Sequence, residues 1–237
     1  MKKTLVCLLS LAALTSYAQS PNTLSKKEKK AGFKLLFDGK TTTGWHKFNG
    51  EGVGNAWVIE DGALKLDAAA RKSGAVAGDI VTDGEYGDFE LKYDSKIAEN
   101  GNSGVMFHVV EAKKYHAPYF TGPEIQVLDN ERHSDNKLEN HRAGSLYDLI
   151  PAKPQNANPA GQWNSTRVVL EKGKFAIYQN DVKVVETDMN SPEYKELVAK
   201  SKFKAWPDFG KAAAGHFCLQ DHGDTVWFRN IKVREIK

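Results

Sequence analysis

The sequence predicts an all-β fold built as a sandwich of two antiparallel sheets. About ten segments have strand character, and turn residues separate them along the chain. The segment from Phe89 to Asp94 alternates apolar and charged residues, which is typical of a strand with one face on the core and one in water. Many short strands of this kind predict a two-sheet sandwich.

The predicted strands begin with a hairpin. Trp57 to Leu66 forms two short strands around Asp61-Gly62, a pair that supplies the positive φ angles of a tight turn. After the strand at Phe89, further strands are predicted over residues 103–110, 123–129, 145–149, 166–171, 174–179, 182–187, 215–221 and 225–235.

One helix interrupts the strands near residues 191–203. Ser191 is a favourable N-cap, Pro192 suits the first helical position, and Tyr194 and Leu197 share a face. We expect this helix to be peripheral and to lie over an edge or an end of the sandwich.

The N-terminus has the pattern of an export signal. Two lysines precede an apolar run, and the small residues Ser16 and Ala18 occupy the two positions that a signal peptidase inspects. We expect residues 1–18 to be a signal peptide that is cleaved between Ala18 and Gln19, with export to the periplasm or the cell surface. Residues 19–32 then form a charged N-terminal tether, and residues 33–237 form a single domain.

The remaining chain is near neutral and contains one cysteine. Removing 18 of the 237 residues leaves 219, and the loss of two lysines lowers the formal net charge from +3 to +1. This balance gives no electrostatic basis for nucleic-acid binding. Cys7 lies in the signal, so Cys218 has no partner for an intramolecular disulfide. No later segment approaches the roughly 18 apolar residues that span a bilayer, so no transmembrane segment is expected.

Two predicted strands each carry a polar row. Because strand residues alternate sides, Glu124 and Gln126 share one face, while Ile125 and Val127 share the other face and point into the core.

The same alternation applies to residues 215–222, where Phe217 and Leu219 point inward. The opposite face carries His216, Cys218, Gln220 and His222. If both polar rows lie on one concave sheet, they form a groove. The alternative is that both rows are an ordinary solvated face.

One tryptophan and one arginine have two possible roles each. Trp163, at a loop-to-strand junction, is either a sugar-stacking platform or a core residue. Phe228 and Ile231 are three positions apart, so in a regular strand they would point to opposite faces. Two apolar residues at this spacing predict a bulge or a strand that is buried on both sides. Arg229 between them is therefore either an internal salt-bridge partner or a groove cation.

No short motif identifies a metal, a nucleotide or a serine nucleophile. The sequence lacks a His-x-x-x-His or Cys-x-x-Cys pair, a Gly-x-Ser-x-Gly motif, a P-loop and a dinucleotide fingerprint. A metal site could still be assembled from separate strands, with Glu124, His133 and His222 as candidate ligands of a divalent metal ion.

Eight short motifs occur in a fixed order between residue 33 and the C-terminus. They are Phe37-Asp38-Gly39 with Trp45, Asn102 to Val105, Gly122 to Asn130, His133 with Asp135, Gly144 to Asp148, Trp163-Asn164, Leu219 to Gly223, and Phe228 to Ile231. No single motif is specific. The ordered set resembles the 3-keto-glycoside lyase/hydratase (3-keto-disaccharide hydrolase) domain family of exported bacterial proteins.

The resemblance implies a concanavalin-like jelly-roll fold with a sugar groove on the concave sheet. It also implies a substrate, a glycoside whose glucose ring has been oxidised at C3 by a partner sugar 3-oxidoreductase. The ketone acidifies the hydrogen on C2, so a base can start β-elimination of the C1 substituent, and water then adds to the 3-keto-2-hydroxy-glucal. Such a lyase/hydratase needs a base, an acid and a group that stabilises the enediolate.

The resemblance offers candidates for each of these roles. The base is Glu124 or His133, the acid is His222 or Asp148, and the stabiliser is Arg229 or a divalent ion. Substrate binding is assigned to Gln126, His108, Trp163, Asn164, Gln220 and Arg229. His108 departs from the family pattern, which often places Arg after the Ser-Gly strand.

Two other functions fit the same sequence. Glu124 and Asp129 have a spacing like that of the carboxylates in laminarinase-like retaining glycosidases, although Gln126 replaces the middle acid. A non-catalytic carbohydrate-binding module would need only a groove and an aromatic platform such as Trp163. The number of titratable groups in the predicted groove favours an enzyme.

Overall fold

The computed structural model describes residues 20–237. The predicted signal peptide, with Cys7 and the cleavage site after Ala18, lies outside the described residues and stays a prediction. None of the helices in the described range is long and apolar enough to span a bilayer.

Short strands make up most of the regular backbone within residues 20–237. The strands are β1 (Lys34–Leu35), β2 (Trp45–Lys47), β3 (Trp57–Glu60), β4 (Ala63–Leu66), β5 (Ile80–Thr82), β6 (Phe89–Ile97), β7 (Asn102–Val109), β8 (Glu124–Leu128), β9 (Asn164–Glu171), β10 (Lys174–Gln179), β11 (Val182–Asp188), β12 (His216–Leu219) and β13 (Val226–Glu235). The α-helices are α1 (Lys26–Lys30), α2 (Ala68–Lys72) and α3 (Pro192–Lys200), and the 3-10 helices are Pro118–Phe120, Ser134–Lys137, Glu139–His141 and Lys202–Ala205.

The strands form two antiparallel sheets, as the sequence predicted. The larger sheet has the order β11, β10, β9, β6, β13, β4, β3, and β1 also pairs with β13. The smaller sheet has the order β2, β5, β12, β7, β8. All the pairs in both sheets are antiparallel.

The predicted hairpin is formed by β3 and β4. Glu60 pairs with Ala63 across a turn in which Asp61 and Gly62 have φ angles of 50° and 73°. A strand predicted over 145–149 is absent, since Leu146 makes only isolated bridges there. The chain turns too sharply in this segment for a strand. Three strands of two or three residues, β1, β2 and β5, were not predicted because their patterns are too short to recognise.

Apolar residues of both sheets fill the space between them. The predicted inward residues Ile125, Val127, Phe217 and Leu219 all belong to this core. Phe107 of the smaller sheet stacks on Phe175 of the larger sheet with ring centroids 5.2 Å apart. The polar rows of β8 and β12 consequently lie on the outer face of the smaller sheet.

Helix α3 confirms the predicted peripheral helix. Ser191 Oγ accepts a hydrogen bond from Tyr194 N at 3.1 Å, and Pro192 occupies the first turn. The α-helix ends at Lys200, and a 3-10 helix over Lys202–Ala205 follows it. This segment packs beside the outer face of the smaller sheet and so reaches the polar rows.

Part of the predicted N-terminal tether is helix α1, which is docked on the larger sheet. Ser25 and Glu28 form a capping box at its start. The Glu28 carboxylate also lies 2.7 Å from Lys232 Nζ on β13.

Candidate functional site

A cavity of about 290 Å³ opens on the outer face of the smaller sheet, where the polar rows of β7, β8 and β12 meet. Polar strand residues form its floor, and residues of the connecting segments form its walls. The lining residues are Asn102, Tyr119, Glu124, Gln126, Tyr147, Lys202, Phe203, Trp206, Gln220 and His222.

Strand register brings the two predicted polar rows together. Gln126 pairs with Gly104 across β7 and β8, and Gln220 N donates a hydrogen bond to Gly104 O at 3.0 Å. Glu124 lies two residues from Gln126 and therefore on the same face. Of the predicted site residues, Glu124, Gln126, Gln220 and His222 line one cavity.

Glu124 is the carboxylic acid among the residues that line this cavity. The residue is 6% exposed, and its carboxyl receives no hydrogen bond from residues 20–237. Burial raises the pKa of Glu124 to about 8; the Lys202 ammonium opposes this shift, and the charges of Asp79 and Asp135 add to it. At neutral pH the carboxyl is therefore mainly protonated, as is typical of a general acid.

Gly104 makes room for the Glu124 side chain. A Cβ atom at position 104 would lie only 2.6 Å from Cδ and 2.7 Å from Cγ of Glu124. The glycine in the middle of β7 thus allows a carboxyl from the neighbouring strand to lie flat over the sheet.

Three amide side chains of the cavity keep unpaired polar atoms. Both amide atoms of Gln126, Oδ1 of Asn102 and Oε1 of Gln220 are buried and have no hydrogen-bond partner among residues 20–237. Each unpaired group costs roughly 1–3 kcal/mol, so the site suits a ligand that donates and accepts hydrogen bonds, as hydroxyl groups do. Asn102 was missed because its strand was predicted to start one residue later.

Two histidines stand at one end of the cavity. His222 lines it, and His133 lies beside His222 in edge-to-face contact with ring centroids 6.4 Å apart. The Asp221 carboxylate fixes the loop that carries His222, because it accepts hydrogen bonds from Gly78 N at 2.8 Å and from Gly223 N at 2.9 Å. His133 is next to the cavity but is not part of its lining.

Asp148, a predicted acid, lies outside the lining and is engaged elsewhere. His141 Nε2 lies 3.0 Å from Asp148 Oδ1, and His141 Nδ1 lies 2.7 Å from Asp135 Oδ1. Asp148 Oδ2 accepts a hydrogen bond from Lys202 N at 3.1 Å, and Tyr147 donates its hydroxyl to Asp135 at 3.3 Å. With both oxygens held in this way, Asp148 is poorly placed to give a proton to a ligand.

One wall of the cavity comes from the 3-10 helix that follows α3. The helix contributes Lys202 and Phe203, and Trp206 follows as its C-cap residue. The Tyr119 ring lies 5.1 Å from the Trp206 ring. Lys202 Nζ lies 4.1 Å from the centroid of the Tyr147 ring. Lys202 was not predicted as a site residue, because the sequence indicated only a peripheral helix here.

The structure places Trp163 and Arg229 on the larger sheet, away from the cavity. Arg229 Cζ lies 4.0 Å from the Trp163 ring centroid, and Arg229 Nε donates to Asp94 Oδ2 at 3.2 Å. Arg229 is thus a salt-bridge partner, and the prediction of a groove cation is corrected. The predicted bulge in β13 is present, since its register with β6 shifts between Arg229 and Lys232.

Asn164 and His108 also lie outside the cavity lining. Asn164 Oδ1 accepts a hydrogen bond from Asn158 N at 2.6 Å and so holds the loop before β9. His108 Nε2 lies 2.9 Å from Gly87 O, and burial lowers the pKa of His108. Both side chains are used within the fold, so the expectation that they contact a ligand in the groove is corrected.

His216 is on the polar row of β12 but at its far end. Its Nδ1 lies 2.7 Å from Thr82 O, and its ring contacts His46 edge to face. Cys218 is fully buried in a small apolar cluster with Met106 and Val81. The predicted groove therefore covers only the half of the row that ends in His222.

Asp129 does not form a carboxylate pair with Glu124. The β8 residues from Glu124 to Leu128 pair with β7 without a register shift, so Asp129 lies about 16 Å further along the strand direction than Glu124 and on the opposite face. Asp129 carboxylate oxygens accept hydrogen bonds from Asn100 N at 2.7 Å and Glu131 N at 3.0 Å. Retaining glycosidases need carboxyl groups about 5–5.5 Å apart, so the glycosidase alternative built on these two residues is wrong.

The described residues do not present a ready metal site. Within residues 20–237, no three side chains of His, Cys, Asp or Glu lie together in a way that could hold a metal ion. The predicted candidates are one carboxyl and two imidazoles, and only the Glu124 and His222 side chains line the cavity, while His133 lies beside His222 with ring centroids 6.4 Å apart. This donor set does not fit a resident divalent ion.

Comparison with known proteins gives consistent matches over most of the chain. The sequence profile of the 3-keto-alpha-glucoside-1,2-lyase-like domain matches residues 32–234. A Bacteroides thetaiotaomicron protein named 3-keto-disaccharide hydrolase is 36% identical over 226 residues, which cover 86% of this chain and 78% of that protein.

Solved structures agree with the fold. A Parabacteroides distasonis protein, provisionally described as a glycosyl hydrolase, has a TM-score of 0.84 and 35% identity, and the match covers 92% of this chain and all of the other. A Bacillus subtilis protein with a galectin-like fold has a TM-score of 0.51 at 12% identity and covers 91% of this chain and 94% of its own. The second likeness concerns the sandwich fold alone.

Proposed function

The chain belongs to the 3-keto-alpha-glucoside-1,2-lyase-like domain family, and we propose that it is a carbohydrate-active enzyme that cleaves 3-keto-glycosides. Its substrate is a glycoside, such as a disaccharide, whose glucose ring carries a ketone at C3. The reaction is an elimination across C1 and C2 followed by hydration. The Bacteroides relative named 3-keto-disaccharide hydrolase supports this substrate class.

The observation that carries the proposal is the buried, unpartnered carboxyl of Glu124 among unpaired amides. A protein that only binds sugars has no need for an acid whose pKa burial raises to about 8. An enzyme that must protonate a departing oxygen near neutral pH does need one.

The elimination requires a base and an acid. We assign the removal of the C2 proton to His222, which lines the same cavity as Glu124, and this exchanges the base and acid roles that the resemblance suggested for these two residues. The C–H electrons form an enediolate whose charge lies on the oxygen at C3. When the C3 ketone re-forms, a C1–C2 double bond appears, the C1–O bond breaks, and Glu124 gives its proton to the departing oxygen.

Hydration uses the same two groups in the opposite sense. The Glu124 carboxylate takes a proton from the water that attacks C1, and the protonated His222 returns a proton to C2. Both residues end in their starting states, which satisfies the proton balance of a complete turnover.

Other cavity residues bind the sugar and stabilise charge. The Lys202 ammonium stabilises the negative oxygen of the enediolate, the role that the sequence assigned to Arg229 or a divalent ion. The unpaired amides of Asn102, Gln126 and Gln220 pair with sugar hydroxyls. Trp206 offers an aromatic face for a sugar ring to stack on.

The substrate must be supplied by oxidation elsewhere. The chain has no nucleotide-binding motif, so we propose that a separate sugar 3-oxidoreductase introduces the ketone. We propose that the cleavage step takes place in the periplasm or at the cell surface, where the predicted signal peptide would direct this chain.

Two glucosides with the same aglycone, one oxidised at C3 and one unoxidised, test the proposal. The chain from Gln19 should release the aglycone from the oxidised compound alone, and Glu124→Gln should lose that release. Release from the unoxidised compound would favour a glycosidase. If the protein bound the glucosides but released the aglycone from neither, it would be a lectin-like binding module. Inhibition by a chelator would show that a metal ion takes part.

A further inference from the structure

Four contacts link two walls of the cavity through His141. Tyr147 donates its hydroxyl to Asp135 Oδ2 at 3.3 Å, and Asp135 Oδ1 lies 2.7 Å from His141 Nδ1. His141 Nε2 lies 3.0 Å from Asp148 Oδ1, and Asp148 Oδ2 accepts the backbone N–H of Lys202 at 3.1 Å. The chain closes at the cavity, where Lys202 Nζ lies 4.1 Å from the Tyr147 ring centroid.

We propose that His141 is a positioning residue that sets the place of Lys202 and Tyr147 in the cavity. His141 does not line the cavity and so acts through its two carboxylate partners. Its kinetic consequence rests on the proposed function, whereas its effect on the Lys202 segment does not.

The imidazole suits this role because each ring nitrogen faces a carboxylate. The two nitrogens lie on different sides of the ring, so this one side chain contacts both carboxylates at once, at 2.7 Å and 3.0 Å. His141 is 7% exposed, so water competes little for these contacts. Asp148 has a φ angle of 56°, which is uncommon for a residue with a side chain, and the engagement of both its oxygens holds it there.

Lys202 depends on this network for its position. Lys202 is exposed and is the first residue of the 3-10 helix, for which Ser201 is the N-cap. The first N–H groups of a helix have no partner within it, and Asp148 supplies one for Lys202. A displacement of about 1 Å at a positioning residue can cost about 10²-fold in rate.

Kinetics of His141→Gln test the role, because a glutamine can reach only one of the two carboxylates. We expect kcat for a 3-keto-glucoside to fall about 10–100-fold with a smaller change in KM. In a Lys202→Met background the same substitution should cause a much smaller loss, because only its effect through Tyr147 remains. In an Asn102→Ala background its effect should remain in full, since Asn102 lies on another strand. Equal losses in both backgrounds would overturn the proposal.

A second readout needs no turnover. Hydrogen exchange of the free protein, measured by mass spectrometry, should become faster in segment 201–206 of His141→Gln and stay unchanged in β7. Asp148→Asn should behave in the same way, and it serves as the test variant if His141→Gln does not fold. Unchanged exchange in segment 201–206 would refute the role of His141, whereas a wild type without activity would refute only the proposed reaction.

Discussion

The Glu124 carboxyl lies over the backbone of Gly104, in the space that a side chain at position 104 would fill. Gly104 pairs with Gln126 across β7 and β8, so the acid and an unpaired amide share one patch of the sheet. The position of the proposed acid therefore depends on the absence of a side chain from the neighbouring strand.

Gly104→Ala should displace the Glu124 carboxyl and lower kcat about 10²-fold. The new methyl group meets the flexible end of Glu124, so the free energy of unfolding should change by only about 1 kcal/mol. In a Glu124→Ala background, Gly104→Ala should cause no further loss of activity. Steady-state kinetics and urea denaturation check this, and a full additional loss in that background would contradict it.

Glu124→Gln should make the protein more stable at alkaline pH. The folded protein holds a proton on Glu124 up to a pKa of about 8, whereas the ordinary value is 4.5, so wild-type stability falls as pH rises through this window. Glutamine cannot ionise and avoids the loss, which amounts to about 3–5 kcal/mol at pH 9. Urea denaturation at pH 4 and pH 9 measures it, and the stability advantage of Glu124→Gln should be near zero at pH 4, below the ordinary pKa.

Asp79→Asn should move the alkaline limb of the pH–rate profile toward lower pH. Burial is the main cause of the raised pKa of Glu124, and the negative charge of Asp79 adds to it. Removing that charge lowers the pKa, so Glu124 loses its acid proton at a lower pH. The profile of kcat/KM measures this. Asp83→Asn is the control. Asp83 is an exposed carboxylate at the opposite end of β5 from Asp79, so its substitution should not shift the alkaline limb of the profile.

Lys202→Met should lower kcat roughly 10²-fold and leave the fold intact. The substitution removes the ammonium that stabilises the enediolate but keeps the apolar stem of an exposed residue. Lys204→Met, in the same 3-10 helix but outside the cavity lining, should keep wild-type rates. Equal activity of the two variants would remove Lys202 from the proposed role.

Trp206→Ala should raise KM for 3-keto-glycosides about tenfold, because it removes an aromatic face worth about 1–1.5 kcal/mol. Trp163→Ala should leave KM unchanged, since Trp163 packs against Arg229 on the larger sheet. A rise in KM with Trp163→Ala alone would place the substrate on the other sheet and contradict the proposed site.

Alternation along the strands is sufficient to predict the floor of the cavity. This alternation puts Glu124 and Gln126 on the outer face of β8 and Ile125 on the core face. The structure confirms both, because Glu124 and Gln126 line the cavity and Ile125 is in the core. The same reasoning finds Gln220 and His222. It succeeds because a strand with one buried face alternates apolar and polar residues, and this alternation can be read from the sequence without knowing the fold.

The alternation of side chains along a strand does not predict which sheet the strand joins. Trp163 and Arg229 face outward as their pattern allows, but from the larger sheet. A one-dimensional pattern gives the face of a strand and not its neighbours, since pairing depends on contacts far apart in the chain.

The sequence by itself determined the two-sheet sandwich, its peripheral helix and the polar row that contains Glu124, because these follow from local periodicity and capping. Only the tertiary structure decided that Lys202 and Trp206 close the cavity, that His141 joins two carboxylates, and that burial raises the pKa of Glu124 to about 8. The reason is physical: burial and charge proximity arise where loops dock on a sheet, and no local pattern in the chain records that docking.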